Sequence, residues 1–158
     1  MKKLFGALVF SVVALSGAVA AAHGYNHGDV TITHPWTKES AEGQKNAGIF
    51  MEITAKGIEK DALIRAETDA AEKVELHAHI HENGVMKMRA VEKMDIVPGE
   101  KLELKPGSYH VMLFNLKKPF VKGEEVPVTL YFEKAGKIEV VAKVEAHDFK
   151  GTHKHHAH

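Results

Sequence analysis

From Asp29 to Ala146 the sequence breaks every ten residues or so into a short β-rich run, and the runs are separated by Gly- or Pro-containing turns. The runs are Asp29 to His34, Ala47 to Ala55, Ala62 to Glu67, Lys73 to His81, Val85 to Lys93, Lys101 to Leu104, His110 to Asn115, Val126 to Glu133 and Lys137 to Ala146. Lys56-Gly57, Asn83-Gly84, Pro98-Gly99, Pro106-Gly107 and Ala135-Gly136 lie between them. Such short alternating segments bury one face of a pleated sheet, so the pattern predicts an all-β fold, an antiparallel β-sandwich or small barrel. No long amphipathic helix, internal repeat or interdomain linker competes with a single domain.

The strand Lys73 to His81 constrains function as well as fold. Alternation sends Val74, Leu76, Ala78 and Ile80 to one face and Glu75, His77, His79 and His81 to the other. Asn83-Gly84 is the strongest two-residue hairpin signal, compatible with a type I′ turn. A two-residue loop pairs Glu82 with Val85, His81 with Met86, His79 with Met88 and His77 with Ala90. Met86 and Met88 therefore join three imidazoles on one surface. His110 and Met112, two apart on a later strand, share a face of their own after the Pro106-Gly107-Ser108 turn. Register places His79 beside Met88, whereas a bulge or the diagonal neighbour admits His77.

Imidazole with thioether is a donor set for monovalent copper. Thioether sulfur is soft and neutral, a poor ligand for zinc, magnesium or calcium and a good one for Cu(I). Cysteine would bind Cu(I) more tightly, but a thiol in an oxidising compartment is lost to disulfide formation, and the chain has no cysteine. A type 1 copper centre normally needs that thiolate, and no serine or carboxylate constellation stands beside a candidate base, so no enzymatic turnover is expected. Lys2 and Lys3, the apolar run Leu4 to Leu15 and the small residues Ala18-Val19-Ala20 read as a signal peptide over residues 1–22, cleaved after Ala20 or Ala22. That run falls short of the roughly 18 to 20 apolar residues of a membrane helix, so a soluble, periplasmic product with no membrane span is expected. With 21 basic and 21 acidic residues, two of the basic ones in the leader, the chain offers no strong field for nucleic acid.

The chain has twelve histidines, all beyond the leader. They divide it into an N-terminal arm (23–28), a copper-binding β domain (29–146) and a flexible tail (147–158). Cleavage after Ala20 leaves Ala21-Ala22-His23, which can form a square-planar Cu(II) site from the amine, two backbone nitrogens and the His23 imidazole. The tail histidines His147, His153, His155, His156 and His158 can gather Cu(II) or Zn(II). Trp36, Phe50, Phe114 and Phe132 read as core, and Met51 and Met94 as core or surface.

His77, ten residues, Met88, twenty-one residues, His110, one residue, Met112 is the motif of the periplasmic copper chaperones of the PCu(A)C family, which this chain resembles. The likeness runs from Asp29 to about Val144 and includes His34-Pro35-Trp36, Asn46-Ala47-Gly48, Val74-Glu75-Leu76-His77 and Pro106 to Leu113. It implies a cupredoxin-like Greek-key fold that holds Cu(I) at an exposed site through His77, Met88, His110 and Met112. It also implies delivery to the CuA centre of cytochrome c oxidase, alongside Sco-type proteins. The resemblance favours His77 and leaves His79 as an extra imidazole, where many members carry methionine. A monomer is expected. The competing role is copper buffering or resistance, with Cu(I) stored in the domain and Cu(II) on the arm and tail.

Overall fold

The computed structural model describes residues 24–151; the expected leader, with His23, His153, His155, His156 and His158, lies outside them. Eleven strands form: β1 Gly24–His27, β2 Val30–Lys38, β3 Asn46–Ala55, β4 Asp61–Glu67, β5 Ala71–Glu82, β6 Val85–Ala90, β7 Met94–Ile96, β8 Lys101–Leu104, β9 His110–Leu116, β10 Glu125–Phe132 and β11 Gly136–Glu145. The hydrogen-bonded path runs β6-β5-β9-β3-β2-β11-β10-β4-β7, with β1 on β2 and β8 on β3. β4 comes back against β5, and β7 against β3 and β8, so the sheet curls around its own interior. Ile49, Ile53 and Leu113 from one half meet Leu63, Met94 and Leu130 from the other in one core. Each fully buried aliphatic side chain of this kind contributes about 1.5–3 kcal/mol.

The alternating runs reappear as strands, with three departures. β2 continues past His34 to Lys38: His34 adopts φ 52° and the pairing with β3 shifts register between Thr33 and Trp36. This bulge at His34-Pro35 interrupts the period-two pattern, so the strand reads as ending early. The run expected from Val85 to Lys93 stops at Ala90, and a separate three-residue strand, β7, starts at Met94 and pairs with β4. β2 and β11 pair in parallel, which the expected antiparallel scheme did not contain.

At both ends, described residues beyond 29–146 also pack against the domain. Gly24–His27, within the expected arm, pairs as β1 with β2. At the start of the expected tail, the Phe149 ring meets Trp36 edge-on at 4.8 Å between centroids. Phe149 is large and apolar, and Trp36 offers it a buried surface to cover. Met51 and Met94, each 1% exposed, are core residues, as is Phe132.

Candidate metal site

The β5–β6 hairpin has the expected register: Glu82 faces Val85, His81 faces Met86, His79 faces Met88 and His77 faces Ala90. Asn83 and Gly84 have φ of 52° and 75°, the pair of positive values a type I′ turn needs. On the other side of β5, His77 faces His110 and Glu75 faces Met112 on β9, while Met112 faces Gly48 on β3. Three adjacent strands thus bring His77, His79, Met88, His110 and Met112 to one face of the sheet. The His77 and His110 ring centroids are 5.7 Å apart, and those of His79 and His110 are 5.6 Å apart.

Hydrogen bonding distinguishes the ring nitrogens. His110 Nδ1 lies 3.0 Å from the Ser108 carbonyl oxygen, which can only accept, so Nδ1–H donates and Nε2 carries the lone pair. His77 Nε2 donates to Glu75 Oε2 at 2.7 Å, and its Nδ1 is buried with no hydrogen-bond partner. Burial holds the His110 imidazole below the usual histidine range, against the opposing pull of the Ser108 hydrogen bond, with His77 and His79 adding smaller downward effects. The hydrogen bond from His77, then that from Lys73, hold the Glu75 carboxyl below the usual carboxylate range. The role of Glu75 is not evident from the sequence. Its one signal is position, two residues before His77 on the same strand face.

Aromatic rings close the buried side. Phe50 lies 6.3 Å from His110 and 4.7 Å from Trp36, and Phe114 lies 5.7 Å from His77. A Cβ at Gly48 would come within 2.8 Å of the Phe50 ring tip, so the ring lies over a backbone that only glycine leaves clear. The opposite side is open: His77 and His110 are 7% and 5% exposed, whereas Met88 is 46% exposed. The site is therefore an imidazole floor with a solvent-facing thioether. Among the described residues no three His, Cys, Asp or Glu side chains are grouped to hold an ion. Of the further histidines named from the sequence, His79 lies in this cluster. His147 lines a cavity of about 170 Å³ together with Met112, Phe50 and Gly48. Among the described residues, no helix is long and apolar enough to cross a membrane.

Comparison with known proteins extends the likeness to the whole domain. The LpqE-like family matches residues 30–144. A protein of Leifsonia xyli subsp. xyli that bears the name of a lipoprotein is 29% identical over 140 residues, 88% of this chain and 82% of its own length. The apo PCuAC domain of PmoF1 superposes with a TM-score of 0.69 at 28% identity, covering 78% of this chain and 99% of that domain. The copper-bound PCuAC domain of PmoF2 gives 0.68 at 28% identity, over 78% of this chain and 98% of that domain. The Cu(I)-bound solution structure of DR1885 from Deinococcus radiodurans gives 0.62 at 25% identity, over 84% of this chain and 87% of that one. The fold is thus all-β and cupredoxin-like, as the resemblance implied. From the family match and these PCuAC neighbours together, the chain belongs to the LpqE-like family, within the PCuAC group that its spaced histidines and methionines resemble.

Proposed function

We propose that this domain is an exported, periplasmic copper chaperone that holds Cu(I) through His77, Met88, His110 and Met112. In this reading it passes the ion to the CuA centre of cytochrome c oxidase, with a Sco-type protein as a further partner. The observation that carries the reading is the pair of available imidazole nitrogens on one sheet face. His77 Nδ1 is buried without a partner, and His110 Nε2 is left free by the bond from Nδ1 to Ser108. A buried unsatisfied polar atom costs about 1–3 kcal/mol, and a soft cation would remove that cost at His77. Copper as cargo is supported by the copper-bound PmoF2 domain and the Cu(I)-bound Deinococcus protein. The lipoprotein name of the Leifsonia relative supports export.

Neutral donors suit delivery. They leave the positive charge on bound Cu(I) uncompensated, so acceptor thiolates can displace them, and the exposed Met88 gives an acceptor a first point of attack. No turnover belongs to this scheme. X-ray absorption on protein carrying one equivalent of Cu(I) tests it. Mixed nitrogen and sulfur scattering should lose sulfur in Met88→Ala and nitrogen in His110→Ala. Nitrogen-only scattering unchanged by either substitution would move the copper to the histidine-rich termini. The storage reading, favoured by the tail histidines 153, 155, 156 and 158, would then stand instead.

A further inference from the structure

The donor face of the hairpin continues beyond the four proposed ligands. His81 faces Met86 two residues closer to the turn than the His79 and Met88 pair, on the same face of the ribbon. In a hairpin closed by a two-residue loop, the residues next to the loop exchange hydrogen bonds, and bonded and non-bonded pairs alternate from there. Glu82 and Val85 are then a bonded pair, and the His81/Met86 and His79/Met88 pairs are both non-bonded. Non-bonded pairs bring side chains closest, with Cα atoms about 4.5 Å apart.

Charge is sorted between the two faces. Glu82 binds Lys87 at 2.8 Å and Arg89 at 2.7 Å on the face opposite the imidazoles. His81, Met86, His79 and Met88 share a face that none of these three charged residues enters. Exposure rises along β5 from buried His77 through half-buried His79 to exposed His81, and Met86 is 50% exposed. Among the described residues neither the His81 nor the Met86 side chain has a hydrogen bond or ion pair to give up on binding an ion.

We propose that His81 and Met86 form an outer Cu(I) site, one imidazole and one thioether, at the solvent end of a His/Met ladder that leads to the central site. The inference rests on the reading of the central site as a Cu(I) site. Cu(I) accepts low coordination by soft donors, and methionine's three rotatable bonds let its sulfur reach an ion held by the facing imidazole. With only two neutral donors in open solvent, this rung binds more weakly than the four-donor centre. It is the first position that an ion arriving from solvent, or the last that an ion leaving for an acceptor, would occupy.

The test is a site-resolved NMR titration of the whole mature chain with Ag(I), a redox-inert stand-in for Cu(I), following methionine methyl and histidine ring signals. The first equivalent is expected to shift the Met88 and Met112 methyls, and further Ag(I) to shift the Met86 methyl and the His81 ring together. In His81→Ala the Met86 shift should vanish, and in Met86→Leu the His81 shift should vanish. Affinity for the first equivalent, read by Cu(I) competition, should stay within about twofold in both variants. A Met86 methyl that stays still while tail histidines take the added ion would overturn the outer site, as would a Met86 shift that survives His81→Ala. Met88 and Met112 methyls unmoved by the first equivalent would instead overturn the central reading beneath it.

Discussion

Glu75 is the residue whose removal best separates a positioned imidazole from a merely buried one. Its carboxylate accepts the His77 Nε2 proton at 2.7 Å, a charge-assisted length, and so fixes which His77 nitrogen is left for a metal. Two estimates of its worth can be compared. A hydrogen bond to a charged partner contributes about 1.5–3 kcal/mol. Carboxylate partners of metal-bound histidines are worth about 10–100-fold in affinity, or roughly 1.4–2.7 kcal/mol. The Glu75 side chain is 28% exposed and shared with Lys73, so the lower end of both ranges applies. Glu75→Ala is therefore expected to weaken Cu(I) binding by about tenfold. Glu75→Gln keeps an acceptor and loses the charge, and it should cost about fivefold, the roughly 1 kcal/mol that separates charged from neutral hydrogen bonds at the lower ends of their ranges. The assay is competition against a chromophoric Cu(I) chelator near neutral pH, with thermal unfolding of the apo proteins run in parallel. Equal affinities for wild type and Glu75→Ala, with both folded, would show that the His77 ring needs no partner to present Nδ1. A Glu75→Gln variant that binds Cu(I) as tightly as wild type would show that charge, the basis of the estimate, is irrelevant.

Three further outcomes follow from the same geometry. His110 has its imidazole held low by burial, so the unfolded chain binds the proton first: stability is complete above about pH 6.5 and falls as the pH drops below it. Denaturant midpoints at about pH 7.5 and 5.5 should differ in wild type and converge in His110→Gln. Asp61 accepts from the Ala62, Lys134 and Ala135 amides at 2.7, 2.8 and 3.0 Å, joining the start of β4 to the β10–β11 turn, so Asp61→Ala should cost about 2–3 kcal/mol in chemical denaturation with Cu(I) affinity per folded molecule unchanged. Gly48→Ala forces the Phe50 ring away from a Cβ that would sit 2.8 Å from its tip, at a cost of about 1–3 kcal/mol, and near-ultraviolet circular dichroism should report the disturbed Trp36–Phe50 pair.

The β5–β6 hairpin was legible from sequence because every determinant of its register is local. Asn83-Gly84 fixes the turn, the turn fixes the pairing, and alternation fixes the face, so each cross-strand partner from Glu82/Val85 to His77/Ala90 could be counted off in advance. The pairings that complete the donor cluster are not local in this sense. Nothing near His77 in the sequence indicates that β9 pairs with β5 so that His110 faces it, or that β3 lies beyond β9 and places Gly48 against Met112. Only the motif spacing carried that information, through a resemblance and not through a derivation. The missed features share a cause as well. The His34 bulge, the three-residue β7 and the parallel β2–β11 pair depend on long-range partners whose preferences leave no period in the chain.

The same contrast bears on how the domain can release what it binds. Local hairpin hydrogen bonds and the Glu82, Lys87 and Arg89 ion pairs hold Met88 on an exposed edge ribbon, while His77 and His110 are fixed by burial between neighbouring strands. An edge ribbon can open without disturbing the core, because β6 has a sheet partner on one side only. In the proposed scheme the Met88 donor can loosen while both imidazoles remain in place. That order suits ligand-by-ligand transfer to an acceptor better than release into solvent.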